Sequence, residues 1–332
     1  MRFGLAIPQY GFSLPSGRIS FEDAAVWART AEDLGFDSVW LSDHLFYSFS
    51  RYGADPTPIS ALEPLATLGG LAAVTERVRL GVLVLCAAFR HPALVAKAAA
   101  TIDVLSAGRL ELGLGAGWLE EEFHAFGYRF APVGERFTTL QDALAITHRM
   151  LGGTEPVVRE GALWSVDGVR LSPAPTQDPV PVWVGGKGGP RLPQLAARYA
   201  TGWNAVWRIE PGSYRERIGD VGIACERVGR DPATFRRTIG LYTLVAGTEK
   251  EARSTFERAR AGFPGDAMRG DTWTSWRADT LSGSPEQAIE RIGSFAELGV
   301  EEIVVSPWVL PFAVMDPAAV ELFAERVVPA CR

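Results

Sequence analysis

The chain has 332 residues, 47% of them hydrophobic, so it can bury a large core; its net charge of −6 and lack of a basic run disfavour a nucleic-acid or anionic-membrane surface. Cys86, Cys225 and Cys331 stand far apart, without CxxC spacing or a companion histidine cluster, which excludes a disulfide framework and a metal site and fits a reducing cytoplasm. MRFGLAIPQYG enters a strand at once and no apolar run of about 18 residues follows, so neither secretion nor a membrane span is expected, and the default partner is a small-molecule substrate.

Along the chain, apolar runs of strand length are predicted at 3–7, 38–41, 80–85, 110–114, 180–184, 203–206, 238–245 and 302–305. Helical spacing is predicted at 21–34, 61–74, 92–105, 136–151, 192–199, 213–228, 250–261 and 285–298. Ser20 with Asp23 and Ser284 with Gln287 resemble capping boxes, and Gly35 and Gly299 sit just past helix ends. No linker-like stretch divides the sequence, so residues 1–332 read as a single domain. Eight alternating βα units predict an α/β fold, a (β/α)8 barrel, which typically takes about 250 residues. The surplus goes to two insertions expected at the C-terminal face, 152–181 with the hairpin-like VVREGALWSVDGV, and 263–284 with Trp273 and Trp276. A doubly wound open sheet is the alternative.

In a barrel, ligands bind at the C-terminal ends of the strands. After the second strand comes Ser42-Asp43-His44, where a histidine beside a carboxylate can exchange a proton near neutral pH. The stretch 79–122 reads strand, helix, strand, glycine turn; its Gly115-Ala116-Gly117-Trp118 lets backbone approach a planar ring or a phosphate. After the fifth strand, Gly185-Gly186-Lys187-Gly188-Gly189 opens into a helix whose free N–H groups favour an anion, with Lys187 as an added charge. Among the tryptophans, Trp40 is assigned to the core, and Trp207 and Trp308 to the substrate pocket. Arg109 with Asp103 is read as a structural ion pair, Arg90 and His91 as capping contacts, and His148 as structural.

Four stretches carry a family resemblance: SDHL at 42–45, RHPALVAKAAATIDVLSAGRLELGLGAGW at 90–118, EFHAFG at 122–127, and VPVWVGGKGGPRLPQLAARYATGWNAVW at 180–207. They resemble the luciferase-like monooxygenase superfamily and, within it, the branch that uses the deazaflavin coenzyme F420. The resemblance implies a (β/α)8 barrel with the cofactor across its strand ends, usually in a homodimer. It implies a bulge in the third strand with a non-prolyl cis peptide near Leu83-Val84, supporting the ring. It places Asp43 and His44 beside the ring, Ala116, Gly117 and Trp118 along it, and Gly185, Gly186, Lys187 and Gly188 at the phosphate. The implied activity is hydride transfer between the deazaflavin and a small organic substrate, with His44 exchanging the proton. An FMN-dependent monooxygenase and a non-catalytic deazaflavin- or flavin-binding protein are the alternatives. Members resembling the sugar-phosphate dehydrogenase of this family carry an acid about where Trp118 stands, which Trp118 cannot replace. Glu121 and Glu122 follow within a turn and could substitute for that acid, with one of them read as a surface or helix-capping carboxylate.

Overall fold

All eight expected strands form, with ends within two residues of those read from apolar runs. They are β1 (Arg2–Ala6), β2 (Ser38–Leu41), β3 (Arg79–Cys86), β4 (Leu110–Gly115), β5 (Val182–Gly185), β6 (Gly202–Trp207), β7 (Arg236–Val245) and β8 (Glu302–Ser306). In the computed structural model, which describes residues 1–187 and 189–332, every neighbouring pair from β1 to β8 is parallel, and β8 pairs with β1 to close the barrel. Closure removes the open sheet from consideration.

Two indoles fill the barrel centre. Trp40 and Trp183 are fully buried, and Gly81 on β3 is where a Cβ would collide with the Trp40 ring. Their indole N–H groups find acceptors: Trp40 donates to Ser38 Oγ at 2.7 Å and Trp183 to Glu111 at 2.6 Å. Glu111 in turn pairs with Arg79, and Glu302 with Arg2 at 3.2 Å, so the charged floor beneath the indoles is mutually neutralised. Burial still pushes the Glu111 carboxyl above its ordinary value, against the pull of Arg79 and Trp183.

The surrounding helices begin where local chemistry says they should. The capping boxes at Ser20/Asp23 and Ser284/Gln287 are both made, and Gly35 and Gly299 hold φ of 82° and 76°. The helix that follows β8, Pro317–Arg326, was absent from the expected set, which placed two helices after β7 and none after β8. Its Phe323 packs on Phe3 and Phe36, with ring centroids 5.7 and 6.4 Å apart, sealing the first and last units. Glu249–Ala261 instead begins an excursion after β7 that continues through the helix Trp273–Asp279 and the short strand Leu281–Gly283, which pairs with the end of β7.

Of the two insertions, 263–284 lies at the C-terminal face. Segment 152–181 does not: it links a helix C-terminus to the start of β5. Its antiparallel hairpin, Val157–Arg159 with Val166–Val169, lies along the helical layer, where Asp142 accepts from Leu163 N at 2.8 Å and Trp164 meets His91 at 5.0 Å. No helix among the described residues is long and apolar enough to cross a membrane.

Candidate functional site

A cavity of about 700 Å3 opens at the strand ends. Asp43, His44, Leu83, Val84, Ala116, Gly117, Trp118, Gly185, Gly186, Lys187 and Trp207 all line it. Gly188 lies outside the described residues. Trp308 is not a lining residue: its backbone N–H donates to Ser306 O at 2.8 Å, its half-buried side chain packs against the hydrophobic cluster behind the wall, and Val309, Pro311 and Phe312 line the cavity instead.

His44 does not stand alone. Its Nδ1 meets Glu122 Oε1, while the other carboxylate oxygen accepts from Leu45 N at 2.8 Å. Glu122 sits in the one-turn helix Glu120–Ala125 after β4 and is 1% exposed, so it is neither a surface nor a capping carboxylate. Glu121 does point elsewhere and accepts from the Ser50 hydroxyl. A carboxylate on Nδ1 holds the imidazole as the tautomer whose Nε2 is left to exchange a proton. The rings of Tyr47 and Trp118 meet His44 edge-on at 5.3 and 5.4 Å.

Asp43 has a supporting task. Arg90 grips it with two nitrogens at 2.7 and 2.8 Å and reaches Glu63 at 2.7 Å, while Asp43 also accepts from Cys86 N at 2.8 Å, tying β2 to β3. Arg90 is therefore an ion-pair residue, whereas His91 does cap the following helix through Ala93 N at 3.2 Å. Burial pushes the Cys86 thiol up to about 12 and the Tyr10 phenol well above its ordinary value, so both stay protonated at neutral pH. Tyr10 hydrogen-bonds Ser42 through its hydroxyl.

The far wall is built around Val84. The β3 register shifts between Val82 and Leu85, and the peptide between Leu83 and Val84 is cis. The Val84 side chain occupies the space a Cβ would need on Gly115 and, at 2.5 Å, on Gly185. Asn204, also on the cavity lining, donates to Thr238 Oγ1 at 2.7 Å, but its fully buried Oδ1 has no partner among the described residues, an acceptor left for a bound group. The glycine turn is pinned by Trp203 Nε1, which donates to Gly186 O at 2.9 Å, and Lys187 is exposed on it. A second non-prolyl cis peptide, Val206-Trp207, had no signal in the sequence reading.

The sequence pattern of the luciferase-like monooxygenase family matches residues 1–302. The chain belongs to that family. An F420-dependent glucose-6-phosphate dehydrogenase of Microbacterium testaceum (strain StLB037) is 34% identical over 216 residues, 64% of this chain and 61% of that relative, so the chain spans under two thirds of its length. One of the same description from Beutenbergia cavernae is 29% identical over 346 residues, 97% of each chain. The solved structure of an F420-dependent secondary alcohol dehydrogenase in complex with an F420-acetone adduct superposes with a TM-score of 0.80 at 22% identity, covering 100% of this chain and 99% of that one.

In this luciferase-like barrel the bulge and cis peptide fall where the resemblance put them. The site also fits a flat cofactor on its own evidence. Gly115 and Gly185 leave the wall beside Val84 free of Cβ atoms, Asn204 Oδ1 lacks a partner among the described residues, and the Gly185-Gly186-Lys187 backbone precedes the helix Leu192–Tyr199. Among the described residues no group of His, Cys, Asp and Glu could hold a metal ion.

Proposed function

We propose that the chain is a coenzyme F420-dependent oxidoreductase that exchanges a hydride with a small organic substrate. The observation that carries this reading is the His44–Glu122 pair beside the glycine-walled cavity. The relatives named as F420-dependent dehydrogenases support the same cofactor. Bound there, a deazaflavin supplies hydride chemistry and leaves the accompanying proton to the protein.

The residues divide that work. Asp43, Leu83, Val84, Ala116, Gly117 and Trp118 border the ring, and Gly185, Gly186 and Lys187 hold the phosphate. His44 Nε2 takes or returns the substrate proton, Glu122 holds the imidazole ready for it, and Trp207 walls the substrate. The aromatic rim excludes water while the proton moves. A homodimer in the cytoplasm belongs to the same reading. Exposed Leu94, Val104 and Leu105 on one helix are apolar surface a second copy would cover, and three free cysteines suit a reducing compartment.

The test compares fluorescence titrations of the purified protein with F420 and with FMN, followed by hydride-transfer assays of wild type and His44→Ala. F420 is expected to bind the more tightly, and His44→Ala to keep that binding while losing turnover by about 100-fold or more. Tighter FMN binding would convert the reading to a flavin monooxygenase. Binding without turnover of any substrate would leave a cofactor-binding protein.

A further inference from the structure

One wall of the cavity is a continuous stack. Trp207 lies on Tyr242 with centroids 5.9 Å apart, Tyr242 on Trp276 at 5.6 Å, and the Arg208 guanidinium caps the Trp276 ring at 5.0 Å. A cation on an aromatic wall would ordinarily invite an anionic substrate. Here it is already occupied. Arg208 Nε donates to both oxygens of Asp279 at 3.0 and 2.9 Å, and its two terminal nitrogens grip Asp271 at 2.8 and 3.0 Å.

One guanidinium between two carboxylates leaves this three-residue clamp with a formal charge of −1. A phosphate brought there would meet Asp271, which also lines the cavity, without a free cation among the described residues beside it to offset the charge. The cavity is further lined by the apolar Phe263, Met268, Val309, Pro311 and Phe312 and by the uncharged phenols of Tyr47 and Tyr52. The other lining lysine and arginine, Lys187 and Arg51, belong to the glycine turn and to the exposed rim, where Arg51 lies 4.8 Å over Trp118.

From this arrangement we infer that the substrate is an uncharged, predominantly apolar alcohol or ketone held against the Trp207–Tyr242–Trp276 stack, and that the Asp271–Arg208–Asp279 clamp turns sugar phosphates away. The inference rests on the oxidoreductase reading for its reaction and on the clamp for its substrate class. Oxidation of such an alcohol removes one hydride and one hydroxyl proton, and the proton is the one His44 can hold.

Calorimetry on the purified protein, with and without F420, would compare acetophenone with glucose-6-phosphate, alongside assays of 1-phenylethanol and glucose-6-phosphate as hydride donors. Acetophenone is expected to bind at least about tenfold more tightly, and 1-phenylethanol to have the higher kcat/KM. Asp271→Asn with Asp279→Asn should then gain binding of inorganic phosphate by about tenfold or more, and adding Arg208→Gln should remove the gain. Equal or tighter binding of glucose-6-phosphate by the wild type, or no binding of acetophenone in either state, overturns the inference. So does a folded double variant that gains no phosphate binding. If the double variant does not fold, the wild-type comparison decides alone. Failure of F420 to bind would sink the oxidoreductase reading, while the titrations without cofactor still decide the substrate class.

Discussion

Glu122 holds His44 by its Nδ1 across 78 residues of sequence, joining the loop after β2 to the short helix after β4. By occupying Nδ1 the carboxylate leaves Nε2 as the nitrogen on which the proposed proton exchange depends. The same carboxylate fixes the Leu45 backbone, so orientation of the ring and path of its loop depend on one side chain.

Glu122→Gln retains the shape but not the charge that stabilises an imidazolium. Turnover with F420 is expected to fall by about 10- to 100-fold while the affinity for F420 changes little, since the carboxylate faces the histidine. Stopped-flow hydride transfer beside a fluorescence titration separates the two effects. Unchanged turnover in a folded variant would reduce Glu122 to a loop anchor.

Arg90→Gln leaves the fully buried Asp43 carboxylate with only the Cys86 N–H and removes the cation from Glu63, which keeps the Ala66 N–H. An uncompensated buried charge costs about 3–5 kcal/mol, which should lower the urea midpoint strongly. Arg90→Lys should recover only part of the loss, because an ammonium cannot reproduce the two-nitrogen grip. A midpoint unmoved by Arg90→Gln would show that water or a rearranged loop compensates Asp43.

The strands and most helices could be read from local signals because strand period and capping chemistry are local. What escaped depended on where an element packs. Glu249–Ala261 has a box-capped start and amphipathic spacing like any barrel helix, and only its contacts place it in the excursion after β7. The unforeseen Pro317–Arg326 did carry a signal, since Val320, Phe323, Ala324 and Val327 repeat at helical spacing behind an Asp316-Pro317 start. In Glu120-Glu121-Glu122 three identical side chains stand in a row. The spacing of Leu119 and Phe123 marks the inward stripe on which Glu122 alone falls, but its partner His44 is set by the fold. Trp308 misled for the complementary reason: position after a strand does not say where a turn sends the side chain. The Arg208 clamp was invisible because Asp271 and Asp279 come from an excursion without a motif.

Gly115→Ala should fail in a specific way. Its new methyl would overlap the Val84 side chain, so the variant is expected to lose about 1–3 kcal/mol of stability and to bind F420 more weakly. Adding Val84→Ala removes the methyl groups it collides with and should restore part of the thermal midpoint. If Val84→Ala does not help Gly115→Ala, the clash is not the cause. The pair of melting curves decides it.

Glu32 offers a pH-dependent test far from the cavity. Its carboxylate accepts from the N–H groups of Glu76, Arg77 and Val78, at 2.6 Å from Arg77 and 2.9 Å from Val78, holding the turn that enters β3. Partial burial opposes the charge, but these three donors outweigh it, with Arg77 adding attraction, and the carboxyl stays below its ordinary value of 4.5. The unfolded chain therefore binds the proton more readily. The stabilisation is complete above the unfolded value and lost as pH falls through the folded one. Glu32→Gln is expected to cost about 1–2 kcal/mol at pH 7 after allowance for solvent screening. The gap in Tm between the two proteins should hold from neutral pH down to about pH 5 and narrow below 4.5. A gap that stayed constant to pH 3 would mean that Glu32 acts through its shape and not its charge.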